Sequence, residues 1–286
     1  MANIHKSVPE NTPGDFFVDS TCIDCDACRQ IAPTVFGEAA ATSYVKTQPS
    51  AGADRRRALQ ALLACPTGSI GCQGDDDVKA VMDDFPLLIE DPVYYCGYNS
   101  PKSFGGNSYF VRRSDGNWLI DSPKFVTPIV RRLEALGGVA HIFLTHRDDV
   151  ADAERFAQHF KSRRIIHRDE QASQPGAEVV LDGEGPWELG RGLLAIATPG
   201  HTKGHCVLLL DNRFLFTGDH LDWDRDEKRL SASEDYCWYS WPRQAESMAR
   251  LADYRFEWVL PGHGQKVHLV ATQLREQIVR LAKAMS

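Results

Sequence analysis

The 286-residue chain contains no apolar run approaching the length of a membrane span. That absence excludes a helical membrane protein. An excess of positive charge is missing too: 32 lysines and arginines stand against 39 acidic residues, for a formal net charge of -7. A nucleic-acid partner would favour a basic face, so this balance argues against one. The opening residues, MANIHKSVPENTPGDF, have no apolar core and do not read as a secretory signal. No internal repeat or low-complexity tract interrupts the pattern. A cytoplasmic protein is the expectation, and there the 8 cysteines need a reason other than disulfides.

Their placement supplies one. Cys22, Cys25 and Cys28 stand at C-x2-C-x2-C spacing, and Cys65 is followed directly by Pro66. Such a loop turns three thiolates onto one face of a cubane, while a remote Cys-Pro closes the fourth corner. Soft anionic sulfur is what clustered iron requires. A zinc knuckle or redox thiols are the alternatives, but zinc sites usually pair cysteines two and two, whereas three sit together here. Cys72, Cys96, Cys206 and Cys237 are scattered and read as small buried apolar residues. The segments CIDCDAC and ACPTGSIG resemble the ferredoxins of the single-cluster kind. That resemblance implies a [4Fe–4S] cluster on Cys22, Cys25, Cys28 and Cys65; a three-iron cluster is disfavoured because Cys25 is present.

Past residue 75 the chain turns acidic (DDDVKAVMDDFP), and a connector holding proline and glycine follows. Short apolar runs then alternate with amphipathic segments. SYFVRR and NWLIDS read as strands, PIVRRLEALGG as a helix stopped by glycine, HIFLTH as a buried strand and VADAERFAQHFK as a helix. LLAIATPG, CVLLLDN, RFLFTGD and EWVLPGHG add strands, with helices at PRQAESMARLADY and the C-terminus. Two domains, 1–90 and 91–286, are the economical division of an α+β chain.

Several of these strands end in a histidine or aspartate: His146 after FLT, His201 in ATPGHTKGH, Asp219 in LFTGDH and His263 in LPGHG. A lone strand-end histidine is more often structural than a ligand. An ordered series is different, because ligands at several strand ends converge over one edge of a sheet. Here the chain resembles the metallo-β-lactamase superfamily, which includes hydrolases such as glyoxalase II. The resemblance implies an αββα sandwich with metal at one edge. It places His146 on the first family histidine, His201 on that of the third motif, Asp219 on the bridging aspartate and His263 on the last histidine. Asp121, in NWLIDS, falls on an early aspartate that is structural or supports a ligand.

The pattern H-x-H-x-D-H is broken. After His146-Arg147, Asp148 stands where the second histidine belongs, the final histidine is missing, and the aspartate is Asp149 or Asp152. Asp152 is favoured, since a helix starting here would put Asp148 and Asp152 on one face. The bland alternative is that both merely sit at a helix N-terminus, which attracts carboxylates with or without metal. His146, His201 and Asp219 together suit mononuclear non-haem Fe(II); adding Asp148, Asp152 and His263 gives a carboxylate-rich dinuclear site. Exchanging imidazole for carboxylate shifts preference from zinc toward iron or manganese. His205 is a spare ligand or supporting donor, and His220 could orient Asp219. The aromatic run DYCWYSWP reads as core or pocket wall, with core favoured.

Three functions fit. The first is a redox enzyme in which the cluster exchanges electrons with the second metal. The set His146, His201 and Asp219 resembles the ligands of persulfide dioxygenases; resemblance to flavodiiron proteins is looser, with no flavin domain. The second is a hydrolase of an ester, thioester or amide, with Asp148 or Asp152 orienting the attacking water. The third is a non-enzymatic redox or iron sensor. Each enzyme reading expects a small-molecule substrate, and the first allows an electron-transfer partner protein.

Overall fold

A computed structural model describes residues 2–50 and 52–286. The chain divides into two compact units: one runs to Asn117 and adds Ser122–Val139, while the other comprises Trp118–Asp121 and Ala140–Ser286.

In the first unit, β1 (Phe16–Val18) is followed by α1 (Ala27–Ile31), the hairpin β2 (Phe36–Glu38) and β3 (Ser43–Val45), α2 (Ala53–Ala64) and β4 (Ile70–Cys72). β1 and β4 pair antiparallel, Phe16 opposite Cys72. Phe16, Val18, Val35, Phe36, Val45, Ala58, Leu59, Ala61 and Ile70 form one buried cluster. Ala58 and Ala61 share the inner face of α2, so this helix sits low on the cluster. It stops at Cys65, whose ψ of 120° is extended, because the following proline disfavours helical geometry in the residue before it. The unit continues with α3 (Val78–Met82), the antiparallel strands β5 (Leu87–Glu90), β6 (Val93–Tyr95) and β7 (Tyr109–Val111), and α4 (Thr127–Ala135). As the sequence predicts, glycine ends α4: the N–H groups of Gly137 and Gly138 donate back to Glu134 and Leu133 at 3.0 and 2.8 Å.

The second unit holds β8 (Trp118–Ile120), β9 (His141–Phe143), α5 (Ala153–Phe160), β10 (Arg163–His167) and β11 (Val179–Leu181). These four strands pair in parallel in the order 8-9-10-11. β12 (Trp187–Gly190), β13 (Leu193–Ala197), β14 (Cys206–Leu210), β15 (Phe214–Gly218), β18 (Trp258–Pro261) and β19 (Val267–His268) form a six-stranded sheet in that order. β16 (Asp222–Asp224) and β17 (Arg229–Ser231) make a separate hairpin. α6 (Trp241–Leu251) and α7 (Ala271–Met285) cover the six-stranded sheet. Met248, Leu251, Leu274 and Ile278 from the helices bury against Val207, Leu209, Leu215 and Val259 from the strands. Each such side chain contributes about 1.5–3 kcal/mol, so the helical faces anchor the sheet firmly. Two sheets flanked by helices are the sandwich layers expected from the sequence. Among the described residues no helix is long and apolar enough to cross a membrane.

The topology explains why the chemistry-bearing residues meet. β9, β13, β15 and β18 all end beside the loops that carry them. β15 and β18 run parallel with Gly218 opposite Pro261, so Asp219 and His263 emerge side by side. One expectation changes. Asp148 lies in a single 3-10 turn, Arg147–Asp149, whereas α5 begins only at Ala153. Ala151 between them is left-handed, with φ 35°. Asp148 and Asp152 therefore do not share a helix face.

Candidate metal centres

In the first unit, Cys22, Cys25, Cys28 and Cys65 line one small cavity together with Val18, Ser43, Pro66 and Ser69. None is in a disulfide. The loop is set by Arg29, which reaches back to Asp24 and Asp26 at 2.5 and 2.6 Å. Backbone N–H groups point at the sulfurs: Asp24 and Ser43 at Cys22, both 3.4 Å, and Ser69 at Cys65, 3.3 Å. Burial, reinforced by the neighbouring thiols Cys65 and Cys22, pushes Cys25 up to about 12. Cys28 is raised likewise, chiefly by burial. Four sulfurs, aimed amides and thiols that resist ionising without a cation are the donor chemistry of an iron–sulfur cluster. Gly105 packs against Cys25 from outside the cysteine loop. A Cβ there would lie 2.6 Å from Cys25 Cβ and 2.9 Å from its Sγ, and its φ is +88°.

In the second unit, four side chains converge on a point. His146 Nε2 lies 3.9 Å from Asp148 Oδ2 and 3.5 Å from Asp219 Oδ2. His201 Nε2 lies 3.7 and 3.6 Å from the same two oxygens. Ligands about 2.0–2.2 Å from a tetrahedral metal stand roughly 3.3–3.6 Å from each other; the distances to Asp219 match that spacing and those to Asp148 are slightly longer. His146 Nε2, His201 Nε2 and Asp148 Oδ2 are buried with no hydrogen-bond partner among the described residues. Such atoms are costly to leave unmet, and a metal would satisfy all of them. His146, Asp148 and His201 could hold one ion; His146, Asp149 and Asp219 form a second group of ligand atoms.

Asp149, passed over in the motif reading, is buried with both carboxylate oxygens lacking a hydrogen-bond partner among the described residues. Burial first, and Asp219 second, raise it to about 6. Asp152 stands elsewhere, at the start of α5, with Oδ2 4.0 Å from Arg155 and outside both groups. His263 Nδ1 meets both oxygens of Asp219, at 2.9 and 3.0 Å. Gly262 permits the approach: a Cβ there would come within 2.5 Å of Asp149 and 2.7 Å of Asp219. Burial disfavours an ionised Asp219, yet His263 and His146 outweigh it and hold this carboxyl well below its usual range. His146 shows the converse. Burial lowers it, but Asp219, Asp149 and Asp121 carry it up to about 9. Asp148 is held down first by His201, against a smaller effect of burial.

Further side chains orient these groups. Asp121 accepts from Thr145 N at 2.9 Å and from the Thr145 hydroxyl at 2.9–3.0 Å. Thr145 Oγ1, its proton thus committed, sits 3.0 Å from His146 Nδ1. Nδ1 is therefore the donor, which leaves Nε2 aimed at the carboxylates. His205 accepts from Asp219 N through Nε2, 3.2 Å, while its Nδ1 meets Thr198 Oγ1 at 2.9 Å. It braces Asp219. His220 is buried with neither ring nitrogen hydrogen-bonded among the described residues, and burial lowers it to about 3. Most of the aromatic run expected as core is instead at the surface, Tyr236, Trp238 and Tyr239 being 66%, 58% and 47% exposed, while Trp241 packs partly buried against the core. Trp238 N donates to His201 O at 2.9 Å, setting its ring 6.2 Å from that imidazole.

Residues 88–278 match the model of the metallo-beta-lactamase superfamily. The chain belongs to that superfamily. Residues 18–72 match the 4Fe-4S single cluster domain of ferredoxin I. Among curated relatives, the chain is similar to thioesterase pkgB of Emericella nidulans, 28% identical over 69% of this chain and 61% of the relative. It is also similar to hydroxyacylglutathione hydrolase of Salmonella arizonae, 31% identical over 43% of this chain and 50% of the relative. The chain thus spans only half to three-fifths of these relatives. Of solved structures, a metallo-beta-lactamase from Pontibacter korlensis aligns with TM-score 0.51 at 20% identity, over 69% of this chain and 97% of that one. DIM-1 metallo-beta-lactamase, determined after exposure to ceftazidime, aligns with TM-score 0.53 at 18% identity, over 70% and 96%. At these identities the structural likeness establishes the fold.

Proposed function

We propose that this chain is a two-centre metalloenzyme of the cytoplasm. In this reading residues 1–90 carry a [4Fe–4S] cluster, and residues 91–286 act on a small molecule at a mono- or dinuclear site, with iron favoured over zinc or manganese. The observation that carries the reading is the carboxylate of Asp148 where an imidazole is expected, converging with Asp219 on His146 and His201 at 3.5–3.9 Å. Hard anionic donors favour iron or manganese over zinc, and a cluster on the same polypeptide is an electron carrier. His146, Asp148 and His201 would hold one ion, with Asp219 shared; Asp149 and His263 would complete a second position, and Asp152 is the remaining candidate there. When bound, the metal supplies Lewis acidity or electron exchange to the substrate.

The chain's own residues do the rest. His201 keeps Asp148 ionised, so this side chain can accept a hydrogen bond from a water or substrate hydroxyl. Asp121 and Thr145 fix the tautomer of His146. Trp238 offers an exposed aromatic face beside His201 for an apolar part of the substrate.

A second reading, metal-dependent hydrolysis of a thioester or ester, draws on the names of the relatives, a thioesterase and a hydroxyacylglutathione hydrolase. There Asp148 or Asp152 would orient the attacking water, and the cluster would be structural or regulatory. Anaerobic purification with metal analysis separates the two. More than four irons per chain, with a second paramagnetic centre that changes on reduction, is the expected result. Four irons plus zinc, together with cleavage of an acylglutathione thioester, would replace it with the hydrolase. Metal at both centres with neither chemistry would point to a sensor.

A further inference from the structure

Glu170 has no place in any of the motifs, yet its position relates directly to the second-unit site. It lies in the 3-10 turn Arg168–Ser173 that follows β10. Its side chain is fully buried, and a buried carboxylate persists only where its oxygens are met. Oε1 accepts the backbone N–H of Gly204 at 2.6 Å, and Oε2 accepts that of Arg147 at 3.2 Å. Arg147 stands between His146 and Asp148. Gly204 stands between His201 and His205. One side chain therefore grips the two loops whose ligand atoms face each other, at the residue next to the ligands on one side and three beyond His201 on the other. Its neighbour Asp169 reinforces the tie, taking Lys203 Nζ at 3.0 Å. A buried acid between two loops is commonly a fold-stabilising staple and nothing more. What sets this one apart is that both amides it holds lie within the ligand segments themselves.

We propose that Glu170 is a positioning residue for the second-unit metal centre: its two oxygens, on the amides of Arg147 and Gly204, set the separation of His146 and Asp148 from His201. The proposal rests on the reading that those three side chains hold a metal. Glu170→Gln keeps the volume and one acceptor oxygen but turns an NH2 group against an amide N–H, so one loop is released. Glu170→Asp keeps the charge and is too short by one methylene to reach both amides. Groups that orient ligands in this way typically change metal affinity 10–100-fold when altered.

The test uses the full chain with its cluster, the second site emptied and then titrated with cobalt(II). The expected result is a 10–100-fold weaker affinity in Glu170→Gln, with shifted cobalt ligand-field bands and an unaltered cluster spectrum, while the cobalt-free variant melts below wild type because one buried amide has lost its acceptor. Glu170→Asp should shift the same bands, and this holds the proposal to account should the glutamine variant fail to fold. Wild-type cobalt affinity and bands in the folded variants, while His201→Ala abolishes binding, would overturn the role of Glu170 and leave the metal site standing. Undiminished cobalt binding in His201→Ala would remove the underlying reading instead.

Discussion

Replacing Asp149 with asparagine should stabilise the metal-free protein while weakening its hold on metal. Asp149 is buried, lacks a hydrogen-bond partner for either oxygen among the described residues, and faces Asp219. Burial and that neighbour raise it from 3.8 to about 6. A carboxyl raised in the folded state is no burden below pH 3.8, where both states are protonated. The penalty grows as pH rises through the interval and is complete above pH 6. About two pH units correspond to about 3 kcal/mol at neutral pH. Asparagine removes the charge but buries an unmet amide, which returns about 1–2 kcal/mol. The net gain is about 1–2 kcal/mol, or roughly 2–8 °C in melting temperature. All 6 tryptophans lie between Trp118 and Trp258, in the second unit, so tryptophan fluorescence reports the relevant transition. The gap should be widest above pH 6, vanish at about pH 5 and invert toward pH 4, where the wild-type carboxyl is largely protonated and only the cost of the asparagine amide remains. Added metal should reverse the order, since it compensates the wild-type carboxylate and has less to bind in the variant. A metal-free Asp149→Asn protein that melts below wild type at pH 7.5 would show that this carboxylate serves the fold rather than a cation.

Two further outcomes bear on the same chemistry. Because its acidic neighbours carry His146 to about 9 against the effect of burial, a cation must displace its proton; affinity should rise about tenfold per pH unit up to about pH 9, with about one proton released per metal in calorimetry across buffers at pH 7.5. Constant affinity from pH 6.5 to 8.5 would refute this. Gly105→Ala should hasten loss of the cluster absorbance in air while leaving cobalt binding at the second site intact, since a methyl there meets Cys25 at 2.6 Å and the left-handed φ adds strain; a cluster as durable as wild type would dismiss the close contact.

What the sequence made legible was local. Cysteine spacing needs only a loop, and strand-end histidines and aspartates need only alternation of apolar runs with turns. That Asp149 rather than Asp152 lies beside Asp219 was not legible, because it depends on a left-handed residue, Ala151, that interrupts the expected helix, and on Gly262, which approaches from another strand. Glu170 left no signal, since its partners are backbone amides of loops far along the chain. The aromatic run near Trp238 misled in the other direction: composition favours the core, but Tyr236, Trp238 and Tyr239 are exposed and only Trp241 packs partly against the core.

The second-unit site also reveals why its ligands and its stability pull against each other. Asp148, Asp149 and Asp219 put three carboxylates around two imidazoles, and Asp149 is buried without hydrogen bonds of its own among the described residues. An ordinary fold would pair or discard such groups. Here the protein half-compensates them, through a protonated His146 and through His263 on Asp219. The remaining negative charge is uncompensated until a cation arrives, so the preference for a highly charged, oxygen-loving metal and the strain of the metal-free state have one cause. Removing a carboxylate relieves the strain and weakens the metal together, and no substitution at Asp149 should improve both.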